Sequence, residues 1–451
     1  MLIITFLIVF GLFSFEIARK NRLPIDAFRF TMVFYVMLYF VIPEFLPLSY
    51  DCAPFCDGIP WMVSVVAFIG LAAMISGYYL SYGLPIFKVS PKVKVNERTE
   101  YRFLLIALCI SFGALYVYAH GYGGFRDAFS YAAVARITGT GLSETQHGVL
   151  ARYFVGISYI VFAICLYKLY QNLRNKMIYF VILTGSIVIV LSYGLILGGR
   201  GALFQLIMIS LFIHLNLRGF NLNLKRITVL ILILIIGTWF VAYGKKGVLA
   251  ASSIFRGQSF IEAFSSIESR EIDYIYGRLI SEFAHPIKSL GVVMESDVDY
   301  NLMKHFWVAP LHLIPTRLIC FTGDKPYRIT EVNTELLTGS QDGGIPPGLV
   351  GSFWYGGGVF GVIVGCIFFG GSIGWMQRQC YGIVRAYPSA IPIVLYIFYK
   401  IPWFLSNGDL SVFLKHQFHL FIYLLILLIF TIVRRIRIPR LETIGSYPTE
   451  G

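Results

Sequence analysis

Three cations recur within the run PLHLIPTRLICFTGDKPYRITEVNTELL, and their types and spacing suit the binding of phosphate. Arg317, Lys325 and Arg328 stand beside prolines that stiffen the backbone. Arg presents a planar fork that matches phosphate oxygens, and Lys presents a compact point charge. The set therefore predicts a site for the diphosphate headgroup of a lipid. The alternative is a loop held by ion pairs to its own carboxylates, which are Asp324, Glu331 and Glu335.

Arg200 lies in the tight turn LGGRGAL between two apolar runs. An arginine at membrane depth costs ~2.5–3.5 kcal/mol even on lenient scales, so it usually faces a cavity or a partner. Glycines on both sides let a bulky anion approach the backbone. We predict that Arg200 contacts the reacting substrate; the alternative is an interfacial arginine whose charged end reaches water. Arg256 and Arg278 are further cations predicted to bind substrate.

Glu331, Asp342, Glu282 and His285 are candidate general bases. A sugar hydroxyl that attacks an anomeric carbon reacts faster when a positioned carboxylate or imidazole takes its proton. Spacing alone does not choose among the four, and each has a structural salt bridge as its alternative. The predicted catalytic set is Arg200, Arg317, Glu331, Asp342 and His285, with no metal and no cofactor.

Long apolar runs dominate the chain that holds these residues. Of its 451 residues, 57% are hydrophobic and 14% charged, and the mean hydropathy is +0.72; a soluble domain carries roughly 25% charged residues. About 20 apolar residues cross the ~30 Å hydrocarbon layer, and they do so as helices because lipid offers no hydrogen bonds. We find eleven such runs, centred near residues 10, 38, 71, 111, 160, 187, 208, 235, 360, 397 and 425. The sequence predicts an all-α polytopic membrane protein with about eleven transmembrane helices.

The net charge of +13 predicts the topology. Of the 37 Lys and Arg residues, 21 fall in six short segments that share one side of the membrane if the spans alternate. These segments are Arg19–Arg29, Lys88–Arg102, Lys168–Lys176, Arg218–Arg226, Arg378–Arg385 and Arg434–Arg440. Because short cytoplasmic segments carry the excess of Lys and Arg, we expect the N-terminus outside and the C-terminus in the cytoplasm.

A large external loop is predicted between the eighth and ninth helices. It carries ten Lys and Arg against twelve Asp and Glu, so it is no polybasic patch for nucleic acid. Within it, residues 259–290 have helical spacing, whereas residues 305–347 are rich in Pro and Gly and predict irregular structure. The predicted regions are residues 1–243 (helices 1–8), 244–345 (the loop with the active site), 346–433 (helices 9–11) and 434–451 (a cytoplasmic tail).

Three local patterns complete the description. Residues 128–137 have the periodicity of a short amphipathic helix at the interface. Cys52 and Cys56 lie on the predicted outer side, where a disulfide is permitted, and the sequence leaves open whether they form one. The glycines at positions 357, 361, 365, 370 and 374 predict close helix packing.

The order GGRGA, then IPTR…DKP, then IPPGLVGSFWYGGGVFGVIVG resembles the Wzy-type polymerases of bacterial surface polysaccharides. The resemblance implies a GT-C-like fold and a metal-independent transfer of a growing glycan from undecaprenyl diphosphate onto a new lipid-linked repeat unit. It implies a multi-pass protein of the bacterial inner membrane acting at the periplasmic face on O-antigen or capsule, with a chain-length regulator as a possible protein partner. Arg200, Arg317 and Lys325 match family positions, whereas Pro346-Pro347 stands where the related O-antigen ligases place a His-Asn pair.

Two other functions stay open on the sequence. An O-antigen ligase or another GT-C lipid-linked glycosyltransferase would use the same donor chemistry. A polysaccharide flippase or transporter would place charges within several helices near the midplane. Lys400, inside the tenth predicted helix, is the feature that favours a transporter.

Overall fold

The fold is known from a computed structural model, in which residues 11, 26–48, 53–85, 97–130, 148–171, 175–197, 201–218, 246–247, 250–266, 275–313, 328–340 and 344–437 are described. Within these ranges the regular structure is helical throughout, and no strand occurs. The predicted all-α class is confirmed for this part of the chain.

The helices α1 to α7 cover the first half of the chain: Ala27–Val36, Trp61–Leu80, Glu97–His120, Gly148–Val155, Ile157–Tyr170, Lys176–Ile196 and Gly201–Arg218. The helices α8 to α14 cover the second half: Phe260–Ser266, Ile275–Glu295, Lys304–Val308, Ile329–Thr338, Gly348–Ala386, Ile391–Asn407 and Leu410–Arg437. A π-helical turn, Met37–Val41, and a further turn of helix, Ile42–Phe45, extend α1.

Eight helical segments of the described residues are long and apolar enough to cross a membrane. They match the predicted spans near residues 38, 71, 111, 160, 187, 360, 397 and 425. The predicted span near residue 208 corresponds to a shorter apolar helix, Gly201–Leu217. The predicted spans near residues 10 and 235 lie outside the described residues. The chain is therefore a multi-pass α-helical membrane protein.

The chain divides into two compact units. The first comprises Met1–Lys92, Ile207–Gly247 and Ser265–Lys415, and the second Val93–Leu206, Val248–Phe264 and His416–Gly451. In the first unit α2 lies along α12 at short range. A Cβ on Gly370 would overlap the carbonyl oxygen of Met74, and one on Gly77 would overlap the carbonyl oxygen of Ile367. The small residues thus bring the two backbones together, as predicted for Gly370.

Helix α12 breaks at Gly357 and Gly358 into α12a, residues 348–356, and α12b, residues 359–386. Gly358 has φ +58° and ψ −141°, a conformation that side chains disfavour. The chain reverses direction here. The evidence is that a Cβ on Gly365 would overlap the ring of Phe353. In a straight helix those two residues would lie about 18 Å apart at about 1.5 Å per residue. The Phe353 ring therefore folds back onto the glycine face of α12b.

The predicted external loop contains well-packed helices. In α9 the residues Ala284, Ile287, Leu290 and Val293 are fully buried in the core of the first unit. The helical spacing predicted for residues 259–290 is confirmed by α8 (Phe260–Ser266) and by the part of α9 that falls within that range. The irregular structure predicted for residues 305–347 is wrong where it is described, since α10, a 3₁₀ turn and α11 occupy much of it. Except for Pro310, the Pro and Gly residues of this stretch fall outside these short helices, so the overall composition suggested irregular structure.

The two ends of the first unit agree with the predicted alternation of helices. At one end Arg378 Nη1 donates to the Tyr82 carbonyl oxygen (3.0 Å) beyond the C-terminus of α2. There Gln377 Oε1 also accepts from the backbone N–H of Phe28 (3.1 Å), in the first turn of α1. At the other end α9 contacts the last turn of α13. Helix ends that are predicted to lie on the same side of the membrane are therefore in contact. Which of the two sides is cytoplasmic stays a prediction.

The second unit shows the same agreement. Lys168 Nζ, near the end of α5, contacts Glu100 Oε2 at 2.8 Å in the first turn of α3, and both side chains are largely buried. Next to this pair, Asn175 Nδ2 donates to Glu97 Oε2 (3.4 Å). These contacts join the ends of three helices that carry predicted cytoplasmic basic segments. Residues 125–130 are helical, and the remainder of the predicted helix at 128–137 lies outside the described residues.

Candidate functional site

A group of buried polar side chains joins the loop helices to the helical core of the first unit. We call it the loop-end cluster, and its members are Ser289, His305, Asn333, Tyr355 and Asp409. Asn333 of α11 is its centre. Its Nδ2 donates to Ser289 Oγ (3.1 Å) in α9 and to the Ile345 carbonyl oxygen (2.8 Å), and its Oδ1 accepts from Tyr355 Oη (3.2 Å) in α12a. Three segments are therefore held by one side-chain amide with all these groups satisfied.

Asp409 is the N-cap residue of α14 and also holds the start of α11. Its Oδ1 accepts from Ser411 N (2.8 Å), Ser411 Oγ (2.6 Å) and Val412 N (3.3 Å). Its Oδ2 accepts from Thr330 Oγ1 (2.6 Å) and from Thr330 N (3.3 Å) in the first turn of α11. Two helix N-termini thus meet one buried carboxylate, which their partial positive charges stabilise.

We expect Asp409→Ala to destabilise the fold by about 2–4 kcal/mol, because it removes a cap and leaves several buried donors without an acceptor. Asp409→Asn keeps one acceptor oxygen and should lose less. Thermal unfolding in detergent, followed by tryptophan fluorescence, measures the difference. Asp299→Ala, at an exposed aspartate of the same unit, is the matched control. Equal melting temperatures for Asp409→Ala and the control would contradict the double-capping role.

His305 is the most unusual member of the loop-end cluster. Only 4% of it is exposed, and its Nδ1 lies 3.1 Å from Asn301 Oδ1. An amide oxygen only accepts, so Nδ1 carries the hydrogen and Nε2 carries a lone pair. Neither His305 Nε2 nor Asn301 Nδ2 has a hydrogen-bond partner among the described residues. Burial lowers the pKa of His305 to about 4, against a smaller opposing effect of Asp409, so the imidazole is neutral at pH 7.

The break in α12 lies directly beside this histidine. The backbone N–H of Asn301 donates to the Tyr355 carbonyl oxygen (3.0 Å) near the end of α12a. Met303, with φ +62°, packs against Gly356 so closely that a Cβ there would overlap its sulfur. The segment that carries His305 therefore packs against the C-terminal end of α12a.

Three predicted site residues of the first unit have observed contacts. His285 Nε2 donates to the Ser406 carbonyl oxygen (2.9 Å), which links α9 to the end of α13. Arg328 Nη1 lies 3.3 Å from Glu331 Oε1, with both side chains about 40% exposed (39% and 42%). Arg328 Nε also donates to His312 Nδ1 (3.3 Å). The ion pair is the alternative that the sequence offered for Arg328, and a pair this exposed contributes little stability.

The other predicted residues are placed as follows. Arg256 belongs to the second unit, where its Nη2 donates to Ser253 Oγ (2.8 Å). Arg278 lies on α9, but its side chain is outside the described part of the structure. The predicted site residues that lie outside the described residues altogether are Arg200, Arg317, Lys325 and Asp342. The roles of all these residues stay predictions.

Lys400 and Cys56 complete the account of the sequence patterns. The Lys400 ammonium lies 5.2 Å and 5.3 Å from the ring centroids of Tyr396 and Tyr399 in α13, within cation–π range. Cys56 is disulfide-bonded, and Cys52, the partner that the sequence left open, lies outside the described residues. Among the described residues, no group of three His, Cys, Asp or Glu side chains could hold a metal ion.

Sequence reasoning missed His305, Asn333 and Asp409. Asp409 carried a local signal, since the run NGDLS has a helix-stopping glycine followed by an N-cap aspartate. His305 and Asn333 carried none, because their role depends on segments that are distant in sequence. Only the folded chain brings α9, α10, α11 and α12a together.

Fold and site together define a multi-pass α-helical membrane protein with a buried polar cluster at one end of its first unit. Comparison with protein-family models, with curated proteins and with solved structures finds no match to this chain. Its function must therefore be argued from its own residues.

Proposed function

We propose that this chain is a polymerase that joins lipid diphosphate-linked oligosaccharide repeat units into a surface polysaccharide, at the outer face of a bacterial inner membrane. The single observation that carries the proposal is the environment of His305. A neutral imidazole, with an unpartnered lone pair on Nε2, lies in a polar cluster of the predicted external loop. The imidazole is the free base at pH 7 and can take the proton of a sugar hydroxyl, and a pKa near 4 makes it a weaker base than a histidine that titrates near 7.

The reaction needs two kinds of group. A base takes the proton of the attacking hydroxyl of the acceptor sugar, and cations stabilise the negative charge that grows on the diphosphate leaving group. His305 is the base in this proposal, in place of Glu331, Asp342, His285 and Glu282, whose side chain lies outside the described part of the structure. Arg328 lies in the same unit, and Arg200, Arg317 and Lys325 are the other proposed cations.

Access to His305 sets a condition on the proposal. Its Nε2 is buried in this structure, so the acceptor hydroxyl reaches it only after a local rearrangement, and we propose that the segment Asn301–Leu313, which carries His305, is the part that moves. The short helix α10 and the 3₁₀ turn after it form this segment. Short segments that open to admit a substrate and then close over it are common in enzymes, and closure then keeps water away from the reacting groups.

We expect Arg200→Ala and Arg317→Ala to abolish chain elongation while the protein still inserts in the membrane. The change to Lys should also impair elongation, because Lys cannot reproduce a bidentate contact. Arg385→Ala, at an exposed arginine in the last turn of α12, is the control and should leave elongation unchanged. Gel electrophoresis of the surface glycan measures chain length. Normal long chains in either alanine variant would contradict the assignment of that residue.

A strain that lacks this chain distinguishes the candidate functions. A single repeat unit on the lipid core indicates a polymerase, and free polymer with a bare core indicates a ligase. Absence of surface glycan, with lipid-linked intermediates retained on the cytoplasmic side, indicates a flippase. The first outcome supports the proposal, and either of the others overturns it.

A further inference from the structure

The segment Asn301–Leu313 carries large apolar side chains that are exposed in the described part of the structure. Leu302 is 82% exposed and Trp307 80% exposed, and Leu311 is also exposed. On the opposite side of the same segment His305 and Ala309 are buried. The segment is therefore amphipathic, although the sequence places it in the middle of a predicted extramembrane loop.

This apolar surface continues into the exposed side of α12b. Tyr300 is itself exposed, and its hydroxyl lies so close to Gly358 that a Cβ there would come within 2.8 Å of it. Directly after Gly358 come Val359 and Phe360, and Phe360 is 74% exposed. Farther along the same helix Phe368 is 76% exposed. An apolar helix of this length exposes such side chains to lipid.

The length of α12b fixes the level of this surface in the bilayer. From Val359 to Trp375 the apolar part of the helix rises about 24 Å at about 1.5 Å per residue. That is close to the ~30 Å thickness of the hydrocarbon layer. Trp375 marks one end, where Arg378 and Gln379 follow. Tyr300 and Trp307 therefore lie near the opposite interface, where Trp and Tyr side chains are enriched.

We propose that the segment Asn301–Leu313 lies in the membrane interface with Leu302, Trp307 and Leu311 inserted among lipid chains. Its partner is the bilayer surface. Lys304, exposed on the same segment, has a stem long enough to bring its ammonium to the headgroups. The proposal goes beyond the catalytic function and does not rest on it, since it concerns only what covers this face.

Nitroxide labels test the proposal without any assay of activity. Leu302→Cys and Trp307→Cys are labelled in a Cys109→Ser parent and reconstituted in phosphatidylcholine vesicles, with the labelled parent as background. Dioxygen concentrates in the hydrocarbon layer, and a nickel chelate stays in water. Phe368→Cys on the exposed face of α12b is the lipid control, and Asp299→Cys, at an exposed residue just before the segment, is the water control.

Labels at 302 and 307 should collide with dioxygen severalfold more often than with the nickel chelate, as the label at 368 does. If they instead behave like the label at 299, the face lies in water and the proposal is overturned. It is equally overturned if they are immobile and collide with neither reagent, since a protein partner or a second copy of the chain then covers the face. Leu302 and Trp307 are both exposed, so their replacement should leave the fold intact.

Discussion

Gly370→Ala should be among the most destabilising single-methyl changes in the described part of the chain. A Cβ at this position would overlap the carbonyl oxygen of Met74 in α2. This is a backbone atom, so a change of side-chain rotamer cannot relieve the overlap. The two helices must separate, and overpacking of this kind costs about 1–3 kcal/mol or more. Thermal unfolding of purified protein in detergent measures the loss.

Gly382→Ala provides the matched control on the same helix. No atom of the described residues outside the helix lies within 4 Å of a Cβ at position 382, so the added methyl meets open space there. Because Ala is favoured over Gly in a helix by about 1 kcal/mol, this variant should be as stable as the parent or slightly more stable. A Gly370→Ala protein that unfolds no earlier than Gly382→Ala would show that α2 and α12 are not packed through these backbones.

The membrane helices could be predicted from the sequence because the lipid imposes a rule that needs no tertiary knowledge. Eight predicted spans are matched by helices that meet the length and hydropathy criteria. The contacts between helix ends also agree with the predicted alternation of the helices across the membrane. Gln377 with Phe28 and Lys168 with Glu100 are examples. Hydropathy and charge asymmetry are local properties of the sequence, so they predict the spans and their alternation without knowledge of tertiary contacts.

The loop could not be predicted in the same way. Residues 329–338 form a helix that is too short for its periodicity to stand out, and it is held by contacts to segments far away in sequence. Asn333, for example, is fixed by Ser289 and Tyr355, which are 44 and 22 residues away. Tertiary contacts of this kind decide whether a short polar segment is regular. The break at Gly357 and Gly358 is another such case, since glycine spacing predicted packing and gave no sign of a reversal.

The proposed general base changes from the candidates of the sequence analysis to His305 for a related reason. The sequence shows which residues can take a proton, but their suitability depends on burial and on hydrogen-bond partners. Glu331 is half-exposed beside Arg328, and His285 Nε2 is occupied by the Ser406 carbonyl oxygen. His305 alone combines burial, a fixed tautomer and an unpartnered nitrogen among the candidates whose side chains are described.

His305→Gln should lower the rate of chain elongation by about 10²- to 10⁴-fold, the usual contribution of a positioned general base. Glutamine keeps a polar side chain of similar length but has no basic nitrogen. His120→Gln, at an exposed histidine at the end of α3, is the control and should elongate normally. The measurement is elongation in membranes that contain equal amounts of inserted protein. Glu331→Gln tests the rival base, and a larger loss in Glu331→Gln than in His305→Gln would contradict the assignment.

The pH dependence of unfolding, measured together with elongation, separates this catalytic role from a purely structural one. The folded protein holds the pKa of His305 near 4, whereas the unfolded chain has the ordinary value of about 6.5. Between these values the unfolded state binds the extra proton, so acid favours unfolding. The stabilisation is complete above about pH 6.5 and is lost, by about 3 kcal/mol in total, as the pH falls towards 4. His305→Gln should remove this part of the slope. A variant that loses the acid sensitivity yet elongates normally would make His305 a buried structural residue and return the search for the base to Glu331 and Asp342.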